Sequence, residues 1–313
     1  MTTGAPPHGP ERRPKVGAYG PESRPTAGSH GPEGRPTAGS HRPESRLAAG
    51  PAGPGALLRD WRQRRHRSQL DLALDAGVSA RHLSFIETGR AQPSPELLVA
   101  LAEQLQMPLR ERNTLLLAAG YAPRYRQTEL DDPAMATVRA ALERVLSLHD
   151  PYPGAIIDQS WNVIQANAAA TRLAAVLPAH LAGPPLNVFR ACLHPDGLAS
   201  VTLNFPEWAA YLLGHLRRLA AITADPAVAA LAAEISRYPN VAALGDWHHS
   251  DRWPGAAGLL VPWQLNLNGT RLALFTTLTT FAAPRDVTLA ELAVELFYPA
   301  DPPTAAHLRQ QPP

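Results

Sequence analysis

The sequence contains a single cysteine, Cys192, and a single lysine, Lys15. A lone thiol excludes an internal disulfide framework and any zinc or iron–sulfur site built from several cysteines, and it fits a reducing compartment. No window approaches the roughly 18 consecutive apolar residues needed to span a bilayer. The N-terminal residues also lack the apolar core of a signal peptide, so a cytoplasmic protein with no membrane partner is expected. Large apolar side chains are scarce over the first 55 residues, which hold 11 of the 33 prolines and 11 of the 22 glycines. Such a segment cannot bury enough surface to offset the entropy of ordering it, so residues 1–54 are expected to form a disordered tail. Within it Gly-Pro-Glu-x-Arg-Pro recurs from Gly9, Gly20 and Gly31 with a period of 11 residues. That period is too short for a solenoid unit, and it has no apolar positions to stack.

What remains is ordinary globular material. The 313 residues are 45% hydrophobic and 18% charged, enough for a sizeable core and more than one domain. The net charge of +2 conceals a gradient: +3 over residues 1–50, +2 over 51–123 and −3 over 124–313. A basic front and an acidic back direct any polyanion to the front.

From Ala56 the periodicity is helical. Leu57, Leu58 and Trp61 share a stripe, followed by a crowd of Arg59, Arg62, Arg64, Arg65 and Arg67, a candidate for DNA-backbone contact or merely a solubilising helix end. Ser68 caps a short helix with Leu70, Leu72, Ala73 and Leu74, Gly77 stops it, and Ser79 caps a second with Leu83 and Ile86. Two short helices joined by a glycine-containing turn make a helix-turn-helix. Ser94 and Pro108 open two more helices, the last ending at Gly120.

Gln69 to Thr88 resembles the lambda-repressor/Cro type of helix-turn-helix, the XRE family, in the placing of Ala73, Gly77, Val78, Leu83 and Ile86. The resemblance covers an all-α five-helix unit, Leu57 to Ala119, and implies that the second helix of the pair enters the major groove of double-stranded DNA. Ser79, Ala80, Arg81, Ser84 and Phe85 then face the groove. Arg81 has the fork geometry for guanine, and Phe85 or Ala80 can meet a thymine methyl. Gln69 and Arg90 are expected to contact phosphate and fix register. A homodimer on an inverted repeat is expected.

The chain beyond Pro123 is mixed. Asp132-Pro133 opens a helix with Met135, Val138, Leu142 and Val145 on one face, ending near His149. Two short strands, Gly154–Asp158 and Trp161–Gln165, precede a helix started by Asn167, an order that resembles the opening of a PAS-type sensor domain. Trp208, Tyr211, Leu212, Leu216 and Leu219 mark a long helix, and Asp225-Pro226 opens another. Asn268-Gly269 between two apolar runs predicts a type I′ hairpin. Together with Arg110-Glu111-Arg112-Asn113, His194-Pro195-Asp196-Gly197 and Asn204-Phe205-Pro206-Glu207-Trp208, this order resembles the MmyB-like transcription regulators over residues 56–300. That resemblance implies an α+β PAS-like domain with a pocket for a small apolar or acyl, fatty-acid-like ligand whose occupancy alters DNA binding. The aromatics of this half, Trp161, Phe189, Trp208, Tyr211, Trp247, Trp253, Trp263 and Phe275, suit either a pocket or a plain core.

Other chemistry is not supported. Cys192, His194 and Asp196 alternate, but one-face neighbours in a strand are about 7 Å apart, too far for a thiol–imidazole bond, and the stretch reads better as a turn. His248-His249 with Asp246 and Asp251 offers metal-ligand types in a polar loop where adjacent histidines rarely converge. There is no Walker-type loop, dinucleotide fingerprint or nucleophile elbow, so neither a cofactor, nor a metal, nor an enzyme activity is expected. The expected organisation is a tail over 1–54, the DNA-binding domain over 55–123, the PAS-like domain over 124–303 and a flexible end over 304–313. Two rival readings stay open for the second half: a protein-docking or dimerisation module without a ligand, and, more remotely, an enzyme whose DNA-binding part serves autoregulation.

Overall fold

Five short helices form where apolar residues recur at three- and four-residue spacing: α1 (Pro54–Arg64), α2 (Gln69–Asp75), α3 (Ala80–Glu87), α4 (Pro95–Gln104) and α5 (Leu109–Ala118). The computed structural model describes residues 53–245 and 260–311; the expected tail and the stretch carrying Trp247, His248, His249 and Trp253 lie outside the described residues. Ser68, Ser79 and Ser94 cap α2, α3 and α4, each hydroxyl accepting a backbone N–H three residues on. The inner faces meet in one core that includes Leu58, Trp61, Leu72, Ala73, Leu83, Ile86, Leu98, Leu101 and Leu115. Gly77 turns the chain between α2 and α3 at φ +69°. At Gly55 a Cβ would stand 2.3 Å from the Ile86 carbonyl oxygen, so only glycine lets α1 lie against the end of α3. The expected five-helix, lambda-repressor-like unit is therefore present. One detail differs: Leu70 and Leu74 are 58% and 68% exposed, because the inward turn of α2 is taken by Leu72 and Ala73.

The second half is built on a five-stranded antiparallel sheet of order β2-β1-β5-β4-β3, with β1 Gly154–Ile157, β2 Val163–Ala166, β3 Trp263–Leu267, β4 Thr270–Thr280 and β5 Ala293–Pro299. The Asn268-Gly269 hairpin forms as expected, with φ of +51° and +86° at its two turn residues. The last strand is the central one, inserted between β1 and β4, so the sheet closes only through long-range pairing.

One face of the sheet carries Trp263, Leu265, Leu272, Leu274 and Phe297 into the main core. That core is covered by α7 (Ala168–Ala174), α9 (Val188–Leu193), α10 (Phe205–Thr223) and α11 (Pro226–Ile235), with the short α8 (Ala179–Ala182) and α12 (Pro239–Ala242) at its edge. The other face lays Ile156, Val294 and Leu296 against α6 (Ala136–His149) through Leu142 and Leu146. Val145, expected on the inner face of α6, is 41% exposed; the helix turns Leu142, Leu146 and His149 inward instead.

The end of the chain also departs from expectation. Residues 302–310 form helix α14 (Pro302–Gln310) rather than a flexible end, capped by Asp301 and seated on the sheet through the buried Thr304 and Leu308. The Thr304 hydroxyl accepts the Ala273 N–H. Among the described residues, no helix is long and apolar enough to cross a membrane.

Candidate nucleic-acid interface and ligand pocket

α3 presents its outer face through the cap that starts it. The Ser79 hydroxyl accepts the His82 N–H at 3.1 Å, satisfying one of the unpaired donors of the first turn. Arg81 is exposed and its guanidinium lies over the half-buried Phe85 ring, 5.3 Å from the centroid. One turn apart on one face, the two make a unit with a flat apolar surface and a five-donor fork. Ser84 is half-buried beside them. Ala80 is half-buried and packs on the helical core, which leaves less of its methyl for a base. Arg90 follows Gly89 (φ +73°) and is exposed. None of the hydrogen bonds or ion pairs among the described residues ties α3 to the chain beyond residue 123.

Gln69 is engaged differently from the expectation. Its amide nitrogen donates to Glu87 at 2.8 Å, and Glu87, whose side chain has no solvent exposure, also receives the Arg62 guanidinium on both oxygens at 2.6 and 2.9 Å. Burial pushes the Glu87 carboxyl up, but the hydrogen bonds from Arg62 and Gln69 outweigh it and hold the group below its ordinary value. Sequence reasoning missed this network. Its signal was present: Glu87 stands four residues after Leu83 and Arg62 four after Leu58, both on apolar stripes.

The arginine crowd is accordingly dispersed. Arg62 serves Glu87 and the Arg67 carbonyl, Arg64 pairs with Asp60 within α1, and Arg67 pairs with Asp75. Arg65 packs over Trp61 and donates to the Leu105 and Gln106 carbonyls. These residues mostly fasten helices to one another, which weakens the case for a concerted grip on the DNA backbone.

The two halves touch along α5. Arg110 forms a two-pronged pair with Glu291 at the end of α13 (Val287–Glu291), both bonds 2.8 Å. Thr128 donates its hydroxyl to Asp286 at 2.7 Å, and the Arg65 guanidinium reaches the Ile222 carbonyl. Ala224, in the left-handed conformation at the end of α10, packs on the helical core.

Beside the main core of the second half lies a small pocket of about 70 Å³, open on one side, between the sheet and α7 and α9; it reaches in from the surface and is lined by apolar residues including Leu173, Val188, Cys192, Trp263 and Phe297, and by one carboxyl, Glu295. Glu295 is 3% exposed, and burial drives its pKa up to about 7 against a hydrogen bond from Thr276 at 3.1 Å. Burial likewise pushes up the Cys192 thiol. An outer groove of about 300 Å³ runs between α7, the β3–β4 hairpin and α14, with Arg172 and His307 among its lining. Trp161, Phe189, Trp208 and Trp263 belong to the core. Cys192 is buried away from the exposed Asp196, and 194–197 is a turn closed by the Gly197 N–H to the His194 carbonyl, so no nucleophile constellation forms.

The MmyB-like transcription regulator ligand binding domain matches residues 138–310, more than half of the chain, and a helix-turn-helix family matches residues 58–112. The chain is 41% identical over 66 residues to the "Transcriptional regulator ClgR" of Mycobacterium tuberculosis, in both strain CDC 1551 / Oshkosh and strain ATCC 25618 / H37Rv. That match covers 21% of this chain and 56% of the relative's length, so the chain spans about half of the curated relatives it matches. Among solved structures, an RNA-binding light-oxygen-voltage receptor aligns over 82% of this chain and 60% of the other at 14% identity and a TM-score of 0.24, too low to indicate a common fold.

Proposed function

The chain belongs to the MmyB-like transcription regulators, and on that premise we propose that it acts in the cytoplasm as a homodimer that binds an inverted repeat in double-stranded DNA and responds to a small apolar or acyl ligand. α3 lies in the major groove, where Arg81 pairs with guanine and the Phe85 ring, already stacked on it, meets a neighbouring thymine methyl. Ser79, Ala80 and Ser84 flank that contact, while Arg90 and the α2 end that begins at Gln69 set the register on phosphate. The observation that carries the reading is the Arg81–Phe85 pair on a capped helix whose outer face is not bonded to the second half. The ligand seat is the pocket against β5, and the Arg110–Glu291 contact is the route by which its occupancy reaches the DNA-binding unit.

The test is selection of bound sequences from a random DNA pool by the full chain, followed by native mass spectrometry of the same preparation. An inverted repeat with a guanine lost from the consensus of an R81A variant supports the reading. Enrichment of no sequence over the starting pool overturns it.

A further inference from the structure

The inner pocket and the outer groove are both bordered by one side chain, Leu173, half-buried on α7. At about 70 Å³ the pocket alone is small for a ligand, but with the groove's 300 Å³ it enters the range of a small-molecule site. The lining of the inner part is apolar with one exception. Glu295 projects from the central strand between Ala293 and Phe297, fully within the main core, and the hydroxyl of Thr276 supplies one of its oxygens with a donor. A carboxyl so placed is costly unless its remaining lone pairs are met. An apolar chain end arriving there would leave them unmet, and above about pH 7, where Glu295 is ionised, a second carboxylate would set two like charges together. A donor would satisfy them.

Resting on the ligand reading above, we propose that groove and pocket are one binding channel with Leu173 at its waist, and that Glu295 at the inner end selects a slender alkyl ligand ending in a hydrogen-bond donor, a hydroxyl or an ammonium. Rotation of Leu173 joins the two spaces, and Arg172 and His307 at the outer mouth remain available to the ligand's other end. Cys192 and Trp263 shape the pocket without competing for the donor, the thiol being held protonated by its burial.

Titration calorimetry of the full chain at pH 8 with octan-1-ol, octylamine and octanoic acid tests this. The alcohol or the amine should bind at least about tenfold tighter than the acid, the gain of one hydrogen bond to a charged group. E295L should erase the preference. E295Q, which keeps the shape and an accepting oxygen, should retain the alcohol and weaken the amine, separating the two donors. L173W should abolish binding of all three while leaving the thermal melt of the protein in place. Octanoic acid binding as tightly as the other two, with E295Q and E295L unchanged, would overturn the role of Glu295 and leave the sensor reading standing. Failure of all three probes to bind would overturn the channel, and the absence of any co-purified small molecule in native mass spectra would separately overturn the sensor reading.

Discussion

Glu87, the last residue of α3, takes the guanidinium of Arg62 on both of its oxygens at 2.6 and 2.9 Å, and so fixes α3 to α1 from inside the helical core. With the Gln69 amide on the same carboxylate, α3 and both helices before it share one buried charge network. Its geometry sets the pitch of α3 and hence where Arg81 and Phe85 point.

Removing Arg62 leaves the buried Glu87 carboxylate with only the Gln69 amide and the more distant Arg59, at a cost of up to about 3–5 kcal/mol. R62A is therefore expected to lower the stability of the first unit by that order and to weaken DNA binding at all sequences. Chemical denaturation, with hydrogen exchange of the α1–α5 core as the reporter, would check it, and R62M/E87L, which replaces both charges by apolar groups, should recover most of the loss. Since Glu87 is held below its ordinary value, the stability it lends is present above that value and disappears as the pH falls through the lowered one.

Arg81 and Arg90 should separate by kind of loss. R81A is expected to cost about 1–3 kcal/mol at the cognate site and to relax preference at one base pair. R90A should weaken cognate and random DNA alike and reduce the salt dependence of binding by about one phosphate contact. Fluorescence anisotropy across a salt series distinguishes them; equal losses on both kinds of DNA for both variants would remove the assigned roles.

Much of this architecture was legible in the residues themselves. Ser68, Ser79 and Ser94 announce helix starts, Gly77 the turn, and Asn268-Gly269 the hairpin, because each depends on local chemistry. β5 was not legible: Ala-Val-Glu-Leu-Phe-Tyr-Pro is covered on both faces, so the alternation that betrays a half-buried strand is absent, and its partners lie far away in sequence. Glu295 went unnoticed for the same reason. The apolar content of α14 is slight and gives no helical signal of its own; two buried residues, Thr304 and Leu308, hold it to the sheet. The roles of the arginines from Arg59 to Arg67 stay open in the sequence because charge alone does not say which side of a helix faces inward.

The Arg110–Glu291 pair predicts how the halves communicate. Arg110 is 43% exposed and Glu291 17%, so the pair should add no more than about 1 kcal/mol to overall stability. Its larger effect is expected on the proposed coupling, because α13 leads directly into β5, the strand that carries Glu295 to the pocket. R110A should leave the melting temperature within a few degrees of the parent and leave unliganded DNA affinity near normal, yet reduce the change in DNA affinity that a bound ligand causes. The charge swap R110E/E291R should restore it. Both readouts come from anisotropy titrations with and without ligand.

Glu295 makes the opposite pH prediction to Glu87. Its folded value is raised to about 7 from an ordinary 4.5, chiefly by burial. Between these two values the unfolded chain gives up the proton while the folded protein keeps it, so the contribution of Glu295 to stability falls as the pH rises and its penalty is complete above pH 7. At pH 8 the penalty is on the order of 3 kcal/mol. E295Q carries no such proton. The difference in unfolding free energy between E295Q and the parent should therefore be near zero below about pH 4.5, grow in favour of E295Q between there and about pH 7, and level off above it. A flat difference over the whole range would mean that the carboxyl titrates as it does in water, and so that the pocket around it is wet. Repeating the titration with octan-1-ol bound should shrink the gain, since a donor placed on the ionised oxygens removes the cause of the penalty rather than the charge.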